Sequence, residues 1–200
     1  MPLFLLDFVL LPGEQLPLHV FEPRYKELIS ECLTENSHFG VLHAKEQRIA
    51  SVGCSARILS LNKTYEDGRM DLLTEGVDRF EILQTVAERA FLQAQVLYRK
   101  DRNQAAAEEQ MTLLRRLHGE LLAIAGARAA TETTASPYPV SYQLAGQLPL
   151  DPEFKQRLLE MRSERERIAA LISFFEEVLP AMRHSAHMRE KAGGNGYGGA

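Results

Sequence analysis

Two hydrophobic rhythms run through this chain, in one order only. Up to about residue 100 the apolar residues come in short stretches broken by Gly and Pro, several with a period of two. Beyond that point they recur at helical spacing through runs rich in Ala, Glu, Leu and Arg. Strand patterns followed by helix patterns argue for an α+β fold or two lobes over alternating βαβ units. In the clearest strand, Val52, Cys54, Ala56 and Ile58 alternate with Gly53, Ser55 and Arg57, which places one face inside. Asp67-Gly68 then offers the positive backbone angles of a tight hairpin, so 57–65 is expected to pair antiparallel with 69–74. Phe80 and Ile82 alternate with Arg79 and Glu81, and Leu92, Ala94, Val96 and Tyr98 alternate with Gln93, Gln95 and Leu97. Short antiparallel strands at such intervals suggest a sandwich or an open barrel.

At the N-terminus, 3–11 reads as a first strand, Pro12-Gly13 as a turn, and Leu16 to Phe21 as an extended piece that Pro17 confines to an edge or bend. A helix over about 22–35 follows, opened by Pro23 and striped by Tyr25, Leu28, Ile29, Cys32 and Leu33. The second half predicts a long amphipathic helix over about 105–130, carried by Met111, Leu114, His118, Leu121, Leu122 and Ala125. A polar connector over 131–139 and a short helix before Pro149 come next. Asp151-Pro152 supplies an N-cap and first-turn proline for a helix to about Arg162. Ser163 with Glu166 makes a capping box for a last helix striped by Ile168, Leu171, Ile172, Phe175 and Leu179. The expected organisation is a β-rich lobe over 1–100, a helical lobe over 101–190 and a disordered Gly-rich tail over 191–200.

Composition narrows the function. With 200 residues, 45% of them hydrophobic, the chain has enough apolar side chains for a core without metal or disulfide staples. A formal net charge of −4 disfavours nucleic acid and anionic lipid as partners. The longest apolar run, Leu3 to Leu11, is far short of the roughly 20 residues of a membrane span, and it lacks the flanks of an export signal, so the cytoplasm is the expected compartment. Cys32 and Cys54, with no CxxC neighbour, read as buried thiols of a reducing compartment. His184 and His187 form the one H-x-x-H pair, and a surface helix end explains it better than zinc, which needs more ligands. There is neither a G-x-x-x-x-G-K-[ST] phosphate loop nor a G-x-S-x-G elbow, and no cofactor is implied.

Several segments together resemble the substrate-binding domain family of Lon proteases. LLPGEQLPLHVFEPRY from Leu10 to Tyr25 has that family's order of strand, Pro-Gly turn, LPL-type extended piece and FEPRY helix entry. VGCSARIL (Val52 to Leu59) resembles its strand after the first helix, and DGRMDLLTEGVDRFEI (Asp67 to Ile82) its hairpin followed by a G-x-x-R-F strand. The resemblance covers the first half specifically and the helical half in character. It implies a β-rich lobe of PUA-like, pseudo-barrel topology followed by a helical lobe, and a role in capturing unfolded or damaged chains. The ATPase and Ser-Lys peptidase parts of a Lon protease have no counterpart here, so any unfolding or cleavage falls to a separate protease or ATPase.

The functional expectation is therefore a non-catalytic module that binds unfolded or partly folded polypeptide by strand addition along an open sheet edge, helped by apolar pockets. Phe21, Glu22, Pro23, Arg24 and Tyr25 are the candidate binding residues, although a structural role as helix entry explains them more simply. Pro12, Gly13, Gly53, Asp67, Gly68, Gly76, Arg79 and Phe80 read as structural positions of the motif, with Arg79 anchoring a carboxylate such as that of Glu22. The alternatives are an RNA-binding PUA-like protein and, third, a small hydrolase with a site in a cleft between the lobes.

Overall fold

A computed structural model describes residues 1–46, 48–102, 104–126 and 136–194. They group into two compact units, one of Met1–Arg102 with Ser136–Arg162 and one drawn from Asn103–Ala135 and Ser163–Ala200. The strand-rich unit thus takes in 136–162 beyond its first hundred residues. The reason is specific contact, since α4 (Pro152–Glu160) packs on β5 (Val52–Thr64) and its Gln156 amide donates to the Val52 carbonyl at 3.1 Å.

The first unit is organised by a seven-stranded mixed sheet. Its strands are β1 (Leu3–Leu6), β2 (Gln15–Val20), β3 (Phe39–Lys45), β4 (Arg48–Ile49), β5, β6 (Met70–Val86) and β7 (Gln93–Tyr98). The order is β1-β3-β5-β6-β2, with β4 on β3 and β7 on β6; β1 runs parallel to β3 and the other pairs are antiparallel. β6, 17 residues long, has β5 on one side and, in succession, β2 and β7 on the other. A bridge between Pro2 and Gln93, flanked by Leu3 N–H to the Leu92 carbonyl (2.8 Å) and Ala94 N–H to the Met1 carbonyl (2.9 Å), joins the start of β1 to β7. Hydrogen bonds therefore run in a closed ring through β7, β6, β5, β3 and β1. Leu3, Leu42, Phe80 and Ala94 fill it, with Leu5, Ile82 and Val96 against them.

Local chemistry accounts for the departures from the sequence pattern. The apolar run Leu3–Leu11 is a strand only to Leu6; Val9, Leu10 and Leu11 are buried in the connection that follows. The Asp67-Gly68 hairpin forms as expected, with 66–68 as its loop. Tyr65 N–H bonds the Arg69 carbonyl, Gly68 N–H bonds the Tyr65 carbonyl, and Gly68 alone takes a positive φ, +78°. Gly76 is required by proximity: a Cβ there would stand 2.2 Å from the Leu11 carbonyl oxygen. Helix α1 (Pro23–Glu35) buries Tyr25, Leu28, Ile29 and Cys32 but leaves Leu33 partly exposed, and ends on Asn36 in the left-handed region. α3 (Val140–Ala145) is the short helix before Pro149, and α4 opens with the Asp151 carboxylate accepting from the Glu153 and Phe154 amides at 2.8 and 3.4 Å.

In the second unit α2 (Glu108–Ile124) packs on α5 (Glu164–Gly194). Leu114, Leu117, His118, Leu121 and Leu122 of α2 are buried, as are Ile168, Leu171, Phe175 and Leu179 of α5. The His118 and Phe175 rings lie 6.1 Å apart, and Arg183 meets Glu120 at 2.6 Å. Ser163 caps α5, its hydroxyl accepting from the Glu166 amide at 3.2 Å. Ala125, placed on the buried stripe from sequence, is exposed just past the end of α2. α5 continues through Pro180 as far as Gly194, so the start of the Gly-rich stretch is helical; 195–200, the expected helix end at 127–130 and 131–135 of the expected connector lie outside the described residues.

Candidate polypeptide-binding surface

The five residues of the FEPRY segment divide between two roles. Phe21, between β2 and α1, is 58% exposed. Tyr25 is buried, stacked on Phe4 with ring centroids 3.9 Å apart, and its hydroxyl accepts from the Leu5 amide at 3.2 Å. Pro23 fills the first helical position, and Glu22 and Arg24 pair with each other at 2.8 Å, the guanidinium lying 4.5 Å from the Tyr25 ring centre. Phe21 is the large apolar side chain that the segment leaves exposed. It flanks a groove of about 90 Å³ between β1 and β2, lined by Leu5, Leu6, Leu18 and Val20. Beside it an aromatic row continues outward: His19 lies 6.1 Å from Phe21 and 5.9 Å from Tyr65. His19 and Tyr65 both bond the Asp71 carboxylate, at 2.5 and 2.8 Å, which holds Asp71 below the usual carboxylate range.

β2 and β5 each present a stretch of edge with no strand beside it among the described residues, and their backbones differ. Between β2 and β6 the amide of Gly76 bonds the Glu14 carbonyl, so in this antiparallel register Leu16, Leu18 and Val20 also bond β6. Gln15, Pro17 and His19 consequently turn their backbone groups away from β6 at a regular spacing of two, and Pro17 sits where its missing N–H costs no ladder bond. β5 meets β3 only from Cys54 to Ala56. Beyond that its outward positions are Ile58, Leu61 and Thr64, because the β6 residues opposite them bond β2 instead. Register shifts leave Leu59 and Asn62 as extra residues and stretch the spacing to three. Bulges of this kind guard an edge against regular pairing. Next to this edge, Leu33, Leu59 and Leu61 stay partly exposed around a cleft of about 290 Å³.

Other charged groups hold the scaffold together. Arg79 does not reach Glu22. Its guanidinium is buried, donates to the Leu159, Met161 and Arg99 carbonyls, and lies 3.4 Å from Asp101. Backbone carbonyls dominate because Arg79 ends up against the end of α4, where orphan carbonyls need donors. Glu14 and Lys155, 10% and 5% exposed, form a pair at 2.6 Å; burial pushes the carboxyl of Glu14 up and the ammonium of Lys155 down. The sequence reading missed this pair. Glu14 also accepts from the Leu11 amide at 3.0 Å. Of the remaining motif positions, Pro12 lines a cavity, Gly13 lies under the Tyr138 ring, Gly53 lies against the Val41 carbonyl, Asp67 accepts from Arg69 in the hairpin loop, and Phe80 is in the core.

A cavity of about 510 Å³ in this unit is walled by Pro12, Asp78, Arg79, Tyr98, Tyr138 and Tyr142 among others, and no Ser, Cys or His lines it. Cys32 and Cys54 are both free and buried, and burial raises both thiols. Among the described residues no three His, Cys, Asp or Glu converge as a metal site, and no helix is long and apolar enough to cross a membrane.

These features define a mixed α+β scaffold whose accessible features are sheet edges and apolar side chains. The chain belongs to the family described as the ATP-dependent protease La (LON) substrate-binding domain, whose model matches residues 1–177. It is 26% identical over 212 residues to a Lon protease of Paraburkholderia phytofirmans, covering 96% of this chain and 26% of that protein, and 26% identical to one of Anaeromyxobacter dehalogenans, covering 86% and 22%. The chain thus spans about a quarter of the length of the curated relatives it matches. Among solved structures it is similar to a Lon N-terminal domain protein from Xanthomonas campestris, at 28% identity and a TM-score of 0.68 over 86% of this chain and 96% of that one. The N-terminal domain of a Mycobacterium avium complex Lon protease, at 23% identity, shares the fold with a TM-score of 0.65 over 88% and 97%.

Proposed function

We propose that this chain is a non-catalytic substrate-recognition module that holds unfolded or partly folded polypeptide and works with a separate protease or ATPase in the cytoplasm. The observation that carries this reading is the pairing of an exposed aromatic, Phe21, with a free strand edge and a groove in one small region. Exposed apolar side chains next to unpaired backbone suit a ligand that brings both apolar groups and peptide groups, as an unfolded segment does. Family membership and the Lon relatives support the same class of ligand. The ring of strands supports a PUA-like pseudo-barrel description of the β-rich unit.

A single small site that orders a flexible chain binds weakly, so the expected affinity is micromolar or poorer. Fluorescence anisotropy with a reduced, unfolded model protein tests the reading. Saturable binding that weakens on Phe21→Ala supports it; no binding at high micromolar concentration overturns it.

A further inference from the structure

Resting on the polypeptide-binding reading above, we propose that β2 is the docking strand: an extended segment adds along Gln15–Val20 and seats one apolar side chain in the groove beside Phe21. β2 and β5 both offer a run of unpaired edge, and backbone geometry separates them. A regular strand repeats its hydrogen-bonding groups every second residue. β5 offers them at Ile58, Leu61 and Thr64, a spacing of three imposed by the bulges at Leu59 and Asn62. β2 offers them at Gln15, Pro17 and His19, a spacing of two, with the complete register to β6 behind them. Its outward groups comprise two N–H donors, from Gln15 and His19, and three carbonyl acceptors. Pro17 withdraws one donor, which weakens the edge without breaking its spacing.

The side-chain surroundings select the segment. At the His19 end the groove of about 90 Å³ is walled mainly by apolar side chains, Leu5, Leu6, Leu18 and Val20 among them, with His19 and Glu22 also lining it, so it takes an apolar side chain. Charges bordering the edge are already matched, Asp71 by His19 and Glu22 by Arg24. The ligand class is therefore a neutral extended segment with one apolar anchor, of any sequence otherwise.

The test uses the full chain and a labelled peptide of roughly eight residues alternating Leu and Thr, with a set of derivatives each N-methylated at one amide. Strand addition predicts that methylation at alternate positions lowers affinity about tenfold, while the intervening positions change it by less than about twofold. Amide exchange at Gln15 and His19 slows on binding, and exchange at Leu16 and Leu18, already bonded to β6, stays unchanged. His19→Pro, which deletes an outward donor, lowers affinity about as much. A peptide that binds without alternation in the methyl series, or without slowing at Gln15 and His19, overturns strand addition and leaves side-chain capture in its place. Absence of binding by this peptide and by unfolded protein alike overturns the polypeptide-binding reading itself.

Discussion

Replacing Lys155 with Met isolates a deeply buried ion pair of the β-rich unit. Lys155 is 5% and Glu14 10% exposed, and the ammonium lies within 2.6 and 2.8 Å of the two carboxylate oxygens. Methionine preserves most of the volume of the lysine stem, so the main effect is to strand the Glu14 carboxylate in a dry site. Removing one partner of a buried pair costs about 3 to 5 kcal/mol, which for a chain of this size lowers the thermal midpoint by roughly 6 to 20 °C. In the double variant Glu14→Gln with Lys155→Met the amide oxygen still accepts from Leu11, and the loss shrinks to about 1 kcal/mol or less, because burial opposes both charges in the native pair. The single variant also has a signed pH dependence. Burial raises the Glu14 pKa and Lys155 lowers it, so without the lysine the folded-state pKa moves further above the unfolded value near 4.5. A native state that holds a proton the unfolded state releases is relatively more stable below that folded pKa. The deficit of the Lys155→Met variant therefore narrows as pH falls from 7 toward 5 and is largest at neutral and alkaline pH. Urea unfolding at several pH values checks this; a deficit below about 1 kcal/mol, or one indifferent to pH, refutes the reasoning.

Further expectations concern the scaffold and the exposed aromatic. Gly76→Ala should lower stability by about 3 kcal/mol or more in denaturant titration, since its Cβ meets the Leu11 carbonyl at 2.2 Å and that backbone is itself anchored. Arg79→Lys should cost about 2 kcal/mol, because a single ammonium cannot serve the carbonyls of Leu159, Met161 and Arg99 together. Cys32 and Cys54 should resist alkylation in the native protein near neutral pH and react only on unfolding, as burial raises both thiols; mass spectrometry after a timed alkylation reads this. Phe21→Ala should leave the urea midpoint within error, a change below about 0.5 kcal/mol, while weakening capture of unfolded protein.

Features that depend on neighbours in sequence were readable from it. The helix entry at Pro23, the cap at Asp151, the alternation around Cys54 and the left-handed Gly68 each follow from residues a few positions apart. The FEPRY segment was legible as a motif, and helical spacing put Tyr25 on the packed stripe, but nothing in the sequence says that Phe4 is its partner or that Phe21 faces solvent. Glu14 and Lys155 are 141 positions apart, and a lone Glu after a Pro-Gly turn reads as solvated until α4 is seen to cover it. Arg79 has a carboxylate beside it, Asp101 rather than Glu22, and the rest of its surroundings were not legible for a different reason. A sequence search for its partner looks for carboxylates, whereas its main partners are carbonyls, which every residue carries and no pattern marks. The bulges at Leu59 and Asn62 were hidden because the alternation fails there by one residue, which in a sequence looks like a strand ending.

The two units interleave along the chain: residues on both sides of the stretch between Gly126 and Ser136 contribute to each of them. A single proteolytic cut in that stretch leaves one fragment with the strands and α2, and another with α3, α4 and α5. Neither fragment holds a complete core, since Lys155 and Gln156 belong to the second while their partners Glu14 and Val52 belong to the first. Nicked protein should accordingly elute as one species under native conditions and come apart only in denaturant.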